Sequence, residues 1–401
     1  PSLFNLSNQA GAPPDAFAEF GQNWGFPTYN WDQMQQEDYA WWKNRLQYMS
    51  QFYDAFRIDH ILGFFRIWSI PESVIYGTLG QFDPAIPLSQ REIESYGLPF
   101  DKEKMTRPYV TKQILQNLFI GEEVDIIINT YFIENVNKTL YFKSTYDSQQ
   151  KLAKQDDLSK EIKDKLIYIH SNVLFVVDLK DQHCYHPRID AHKTLFYQQE
   201  LSTADKEAFD SLYEDFFYHR NDKLWKKEAY EKLPALTKAS KMLVCGEDLG
   251  MIPNTVPEVM KNLAIFSLEV ARMPKLLGEE IGNSYKYAYA SVSTFSTHDM
   301  STIRGWWSEN KAQRQAISNY ADLHLTNSES PTEEDIKAIL TRELSANSIL
   351  CIEAIQDWLA LSKKYHIGEA LDEQINIPAD SNHKWRYRIP CYIEDLLDDT
   401  S

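Results

Sequence analysis

Met242-Leu243-Val244-Cys245-Gly246-Glu247-Asp248 is an apolar run that stops on a pair of acids. A short apolar run bounded in this way reads as a buried strand, and the charge that closes it lies where the strand leaves the core. The pattern recurs twice. Ala55-Phe56-Arg57-Ile58 ends in Asp59-His60, and the run over 287–295 leads into Thr297-His298-Asp299. In barrels of alternating strands and helices, catalytic groups gather at the rim where strands end. Three acids so placed, two with Arg or His beside them, point to a carbohydrate-cleaving centre.

Outward from these runs, apolar stretches at 55–58, 242–246, 265–270, 287–295 and 349–354 read as strands. Helical periodicity covers 38–54, 203–219, 220–230, 257–263, 310–323 and 332–345. Strands separated by helices predict an α/β fold with a parallel sheet or barrel. The stretch 8–31 combines Gly, Pro, Asn and aromatics without periodicity and reads as a long ordered loop. Residues 76–183 differ in texture, with Pro-rich turns, strands expected at 123–131 and 173–178, and a charged helix over 148–165. They read as an inserted α+β subdomain.

The chain has 401 residues, and its 41 basic against 58 acidic side chains give a net charge of −17. No basic excess exists to release phosphate counterions, which argues against a nucleic acid partner. No apolar stretch approaches the ~18 residues of a membrane span, so no membrane partner is expected. The four cysteines, Cys184, Cys245, Cys351 and Cys391, are far apart and form no Cys-x-x-Cys pair. Reduced thiols in a cytoplasmic protein fit this spacing better than disulfides or a metal cage.

Retaining glycosyl transfer needs a carboxylate nucleophile and a protonated acid about 5–5.5 Å apart. The acid requires a raised pKa, while the nucleophile must stay ionised. Arg57 stands two residues before Asp59, on the same strand face, and its charge would keep Asp59 ionised. Gly246 before Glu247 would let backbone and substrate approach closely. Each acid also has a purely structural reading. These are an Arg57–Asp59 ion pair, a turn or cap at Glu247, and an N-cap at Asp299. His60 and His298 could ligate a metal, but adjacent residues on a strand face opposite ways and no His-x-His pair is present.

A wider set of motifs resembles glycoside hydrolase family 77, the 4-α-glucanotransferases or amylomaltases. It comprises Gly11-Ala12-Pro13-Pro14-Asp15, Gly21-Gln22-Asn23-Trp24-Gly25, Arg57-Ile58-Asp59-His60, Gly246-Glu247-Asp248-Leu249-Gly250 and Thr297-His298-Asp299. Asn376 with Pro378, and Trp385-Arg386-Tyr387-Arg388, resemble the family's closing segment. The long stretch 60–246 between the first two acids is similar to the insertion-bearing plant cytosolic type and its bacterial relatives.

The resemblance implies a (β/α)8 TIM barrel, with this chain as its C-terminal portion: barrel over 1–75, inserted subdomain over 76–183, and barrel again over 184–401. Roughly five of the eight strands would be present, leaving open edges that make the portion alone prone to aggregation and inactivity. It also implies Asp59 as nucleophile, Glu247 as acid/base and Asp299 as transition-state stabiliser. Arg57, His60, His298, Gln22, Trp24 and Asp248 would bind substrate. Where the family's Pro-Pro-Asp loop continues with Tyr-Phe, this chain has Ala16-Phe17, so an aromatic contact on the glucan is expected to be altered. The substrate would be maltose, a maltodextrin or a glycogen- or starch-like glucan, with no metal or organic cofactor. The alternatives are an α-amylase-like hydrolase, a non-catalytic glucan-binding protein and, last, a metal-dependent barrel hydrolase.

Overall fold

In the computed structural model, which describes residues 2–15, 18–136, 138–276, 278–321, 323–326, 328–365, 368–378 and 383–397, the acid-terminated runs are parallel strands. Ala55–Ile58 pairs with Leu243–Gly246, placing Ile58 opposite Gly246. A parallel bridge from Cys245 to Phe266 leads to the strand Ser267–Val270. That strand pairs in parallel with Ser291–Thr294, which pairs in turn with Leu350–Cys351. The five strands expected for the α/β part are therefore all present; Ala55–Ile58 spans its whole run and the other four are shorter than theirs.

Two compact units divide the chain. One comprises Pro1–Lys43, Leu62–Ala235 and Pro253–Thr255; the other comprises Asn44–Ile61, Leu236–Ile252 and Val256–Ser401. The second holds all five parallel strands. Its core gathers Phe295, Ile303, Trp306, Trp307, Ile317 and Ile336, each fully buried. The helices Ile303–Glu309 and Glu333–Leu344 contribute most of these side chains. Glu333–Leu344 begins with a capping box between Thr332 and Asp335, which satisfies N–H groups that the first turn leaves free.

The first unit is built on an antiparallel sheet in the order Gln22–Tyr29, Phe4–Ala12, Ile67–Pro71, Gln81–Asp83. The loop expected over 8–31 is thus corrected to two strands joined by a connection. Register shifts between Asn5 and Gln9 and between Gln9 and Gly11 break the alternation that would have marked them. Buried Trp68 donates from Nε1 to Gly77 O at 2.8 Å. A Cβ at Gly80 would meet Trp68 Nε1 at 2.3 Å, so only glycine lets the chain pass there. Residues 110–169 carry a hydrophobic cluster of their own, including Leu115, Phe119, Ile127, Phe132 and Leu166. Within it the strand expected over 123–131 is instead the helix Glu123–Tyr131. Its Val124, Ile127 and Tyr131 are buried on one face, and Glu123 and Asp125 in its first turn favour the helix dipole.

Candidate active site

Parallel pairing of Ile58 with Gly246 puts the next residue of each strand, Asp59 and Glu247, at the same level on neighbouring strands. The ladder continues past them. Glu247 N donates to Ile58 O at 2.9 Å and Ile61 N to Glu247 O at 3.0 Å. The two carboxylates nevertheless sit in different surroundings. Asp59 is exposed and accepts from Arg57 Nη1 at 2.6 Å. Glu247 is half-buried; its Oε2 accepts from His60 N at 3.0 Å and its Oε1 from Leu249 N at 2.9 Å. Burial pushes the Glu247 carboxyl above the usual range and the Asp59 charge adds to this, against the two N–H bonds and the Arg57 charge. His60 adopts a left-handed conformation, φ 45°, as it presents its N–H to Glu247.

Gly246 has a different purpose from the one read in the sequence. A Cβ there would lie 2.7 Å from Ile61 Cδ1 and 3.1 Å from Met260 Cε. The space it would need is filled by this unit's own side chains, so its absence serves packing.

Asp299 follows the fourth strand and is approached from the far C-terminal segment. Asn376 Nδ2 donates to its Oδ1 at 2.5 Å, and His298 Nε2 lies 3.5 Å from the same oxygen. The loop that carries His298 and Asp299 is held at both ends by acids. Phe295 N donates to both Glu353 oxygens, at 3.1 and 3.0 Å, and Ile303 N donates to Asp357 Oδ1 at 2.8 Å. Between them, Arg272 Nη1 donates to Ser301 O at 2.6 Å and to Ser296 Oγ at 3.1 Å. Arg57, Thr294, Ser296, His298, Met300 and Glu353 line a common cavity of about 410 Å³.

The family model described as 4-alpha-glucanotransferase, glycoside hydrolase family 77, matches residues 1–394. The chain belongs to this family. It is 36% identical over its whole length to the 4-alpha-glucanotransferase DPE2 of Oryza sativa, of which the match covers 43%. It is 25% identical to a 4-alpha-glucanotransferase of Chlamydia caviae, over 98% of this chain and 48% of the relative. The chain spans about half the length of the curated relatives it matches. Among solved structures, an amylomaltase from Streptococcus agalactiae in complex with acarbose superposes with a TM-score of 0.52 at 18% identity. That match covers 99% of this chain and 50% of the other, and it shows the likeness of fold.

Of the remaining residues that resemblance to the family singles out, Asp248 is buried, and its carboxylate accepts from Leu268 N at 2.9 Å and Lys275 Nζ at 2.8 Å. Gln22 and Trp24 belong to the other unit, on the strand Gln22–Tyr29, where Trp24 Nε1 donates to Gln22 Oε1 at 3.0 Å. Ala16 and Phe17 lie outside the described residues. Sequence reasoning gave no role to Glu353, Asp357 or Arg272, which hold the Asp299 loop. An acid directly after the apolar run Ile349-Leu350-Cys351-Ile352 was the available signal for Glu353. Among the described residues, no group of three or more His, Cys, Asp and Glu is placed to hold a metal ion, and no helix is long and apolar enough to cross a membrane.

Proposed function

We propose that this chain carries the catalytic acids of a retaining 4-α-glucanotransferase acting on maltose, maltodextrin or a glycogen- or starch-like glucan. The five parallel strands are read as part of a (β/α)8 barrel, residues 76–183 as its inserted subdomain, and the protein as cytoplasmic. One observation carries the reading. Asp59 and Glu247 end adjacent strands in register, one exposed and ion-paired, the other half-buried with its acid form favoured. Neighbouring strands lie about 4.7–4.9 Å apart, which suits the separation of about 5–5.5 Å that retention requires.

In the proposed reaction, Asp59 attacks the anomeric carbon and forms a glycosyl ester, while Glu247 gives its proton to the departing 4-oxygen. Glu247, now ionised, takes the proton of an acceptor 4-OH as that oxygen attacks the ester carbon and frees Asp59. Arg57, donating to Asp59 Oδ1, orients the attacking carboxylate. Asp299 and His298 hold hydroxyls of the reacting sugar, and His60 is a further contributor to substrate binding in this unit. Incubating the full protein with maltotriose tests the reading. A ladder of longer glucans supports transfer; glucose and maltose alone mean an α-amylase-like hydrolase. Glucan binding with no turnover, unaffected by Asp59→Asn and Glu247→Gln, means a binding protein.

A further inference from the structure

The four polar groups of Asn376 are all engaged. Its backbone N–H donates to His298 O at 3.0 Å, and its carbonyl accepts from Gln374 Nε2 at 2.8 Å. In the side chain, Nδ2 donates to Asp299 Oδ1 at 2.5 Å and Oδ1 accepts from Trp385 Nε1 at 2.9 Å. An indole N–H can only donate, whereas an amide has one accepting and one donating end. Trp385 and the accepting Asp299 carboxylate therefore together fix which way the Asn376 amide faces: the oxygen turns to the indole and the NH₂ to Asp299. The Trp385 ring also lies 5.5 Å from the His298 ring, centroid to centroid, though the tryptophan is 65% exposed. An exposed tryptophan whose N–H is spent on a neighbour's amide is not explained by burial of apolar surface.

We propose that Asn376 and Trp385 are a pair of positioning residues that fix the orientation of Asp299, occupying its Oδ1 and presenting Oδ2 to a bound sugar. Trp385 acts through Asn376, and neither exchanges a proton with substrate. The kinetic part of this inference rests on the glucan-transfer reading; the orientation itself does not.

Two substitutions in the full protein separate positioning from mere structural support. Trp385→Phe keeps an aromatic side chain but removes the N–H, so Asn376 Oδ1 loses its donor and the amide is no longer held in place against Asp299. The expected result is a fall in kcat of about three- to tenfold, the scale of one lost hydrogen bond, with an unchanged melting temperature. Asn376→Asp sets a carboxyl against Asp299. At low pH the new carboxyl is protonated and donates as the amide did. As pH rises the two acids must share one proton and then repel. Relative to the parent, this variant should work best at the acid end and lose activity as pH increases, with His298 the titratable side chain in contact with Asp299. Parent-like kcat in Trp385→Phe together with a parent-like pH profile in Asn376→Asp would overturn the proposal. Should the parent protein form no products from maltotriose, the transfer reading fails by itself. The carboxyl ¹³C titration of Asp299, assigned with Asp299→Asn, then decides. A step in Asn376→Asp that the parent lacks supports the pairing, and a curve like the parent's refutes it.

Discussion

Replacing Gly246 by alanine tests whether packing or ligand approach explains the glycine before Glu247. The added Cβ would sit 2.7 Å from Ile61 Cδ1, 3.2 Å from Ile61 Cβ and 3.1 Å from Met260 Cε. The Met260 methyl can rotate away, but Ile61 is fully buried and its Cβ is tied to the backbone. Overpacking of this kind costs about 1–3 kcal/mol. The strain would also reach the site, because Ile61 N bonds Glu247 O and His60 N bonds Glu247 Oε2. Ile61→Val deletes the methyl in closest conflict, at a cost of about 0.5–1.5 kcal/mol by itself. Together the two changes should cost about 1 kcal/mol less than the sum of the singles, a coupling expected for side chains in contact. Calorimetric unfolding of the parent, both singles and the double variant closes the cycle. Strict additivity would refute the reasoning, as would full stability of Gly246→Ala alone.

Glu247→Gln should lower the transfer rate by about 10²–10⁴-fold, the usual contribution of a positioned acid, and cost some stability because its amide has one oxygen for the two N–H donors; product formation from maltotriose measures the rate. Burial raises the Glu247 carboxyl, so the high-pH limb of kcat/KM should fall at a pH above the ordinary glutamic acid range, as the donating proton is lost. Burial also raises fully buried Asp357, with the Glu353 and Glu373 charges adding to it, from its ordinary 3.8 to about 7. The folded chain then keeps a proton that the unfolded chain releases, so stability declines as pH rises from 3.8 to about 7. Asp357→Asn retains an acceptor for Ile303 N and carries no charge. Its advantage over the parent should grow from nearly nothing at about pH 4 to at most about 4 kcal/mol at about pH 8. An equal difference in melting temperature at both pH values would contradict this.

Local pattern sufficed for the parallel strands because each is a short apolar run ended by polar residues, and Ala55–Ile58 matches its reading residue for residue. It failed where tertiary packing overrode propensity. Val-Asp-Ile-Ile-Ile-Asn-Thr at 124–130 is rich in β-branched residues, which favour strands, yet it is helical because one side packs into a cluster with Leu115 and Leu166. Phe4–Ala12 escaped notice because its pairing partners, Gln22–Tyr29 and Ile67–Pro71, supply what its irregular register does not. At the site, the sequence marks Asp59 and Glu247 as strand ends, but their adjacency arises from parallel pairing across residues 60–246. The contact of Asn376 with Asp299 likewise joins distant segments, and nothing in either segment announces the other.

The loop bearing His298 and Asp299 is moored at Phe295 and at Ile303 to acids only four positions apart in the chain, Glu353 and Asp357. A five-residue stretch thus works like a cradle, and whatever tilts it tilts the cargo. Changes at 353–357 should therefore displace Asp299 without altering it, so inactivating substitutions in this protein ought to cluster there as well as among the acids themselves.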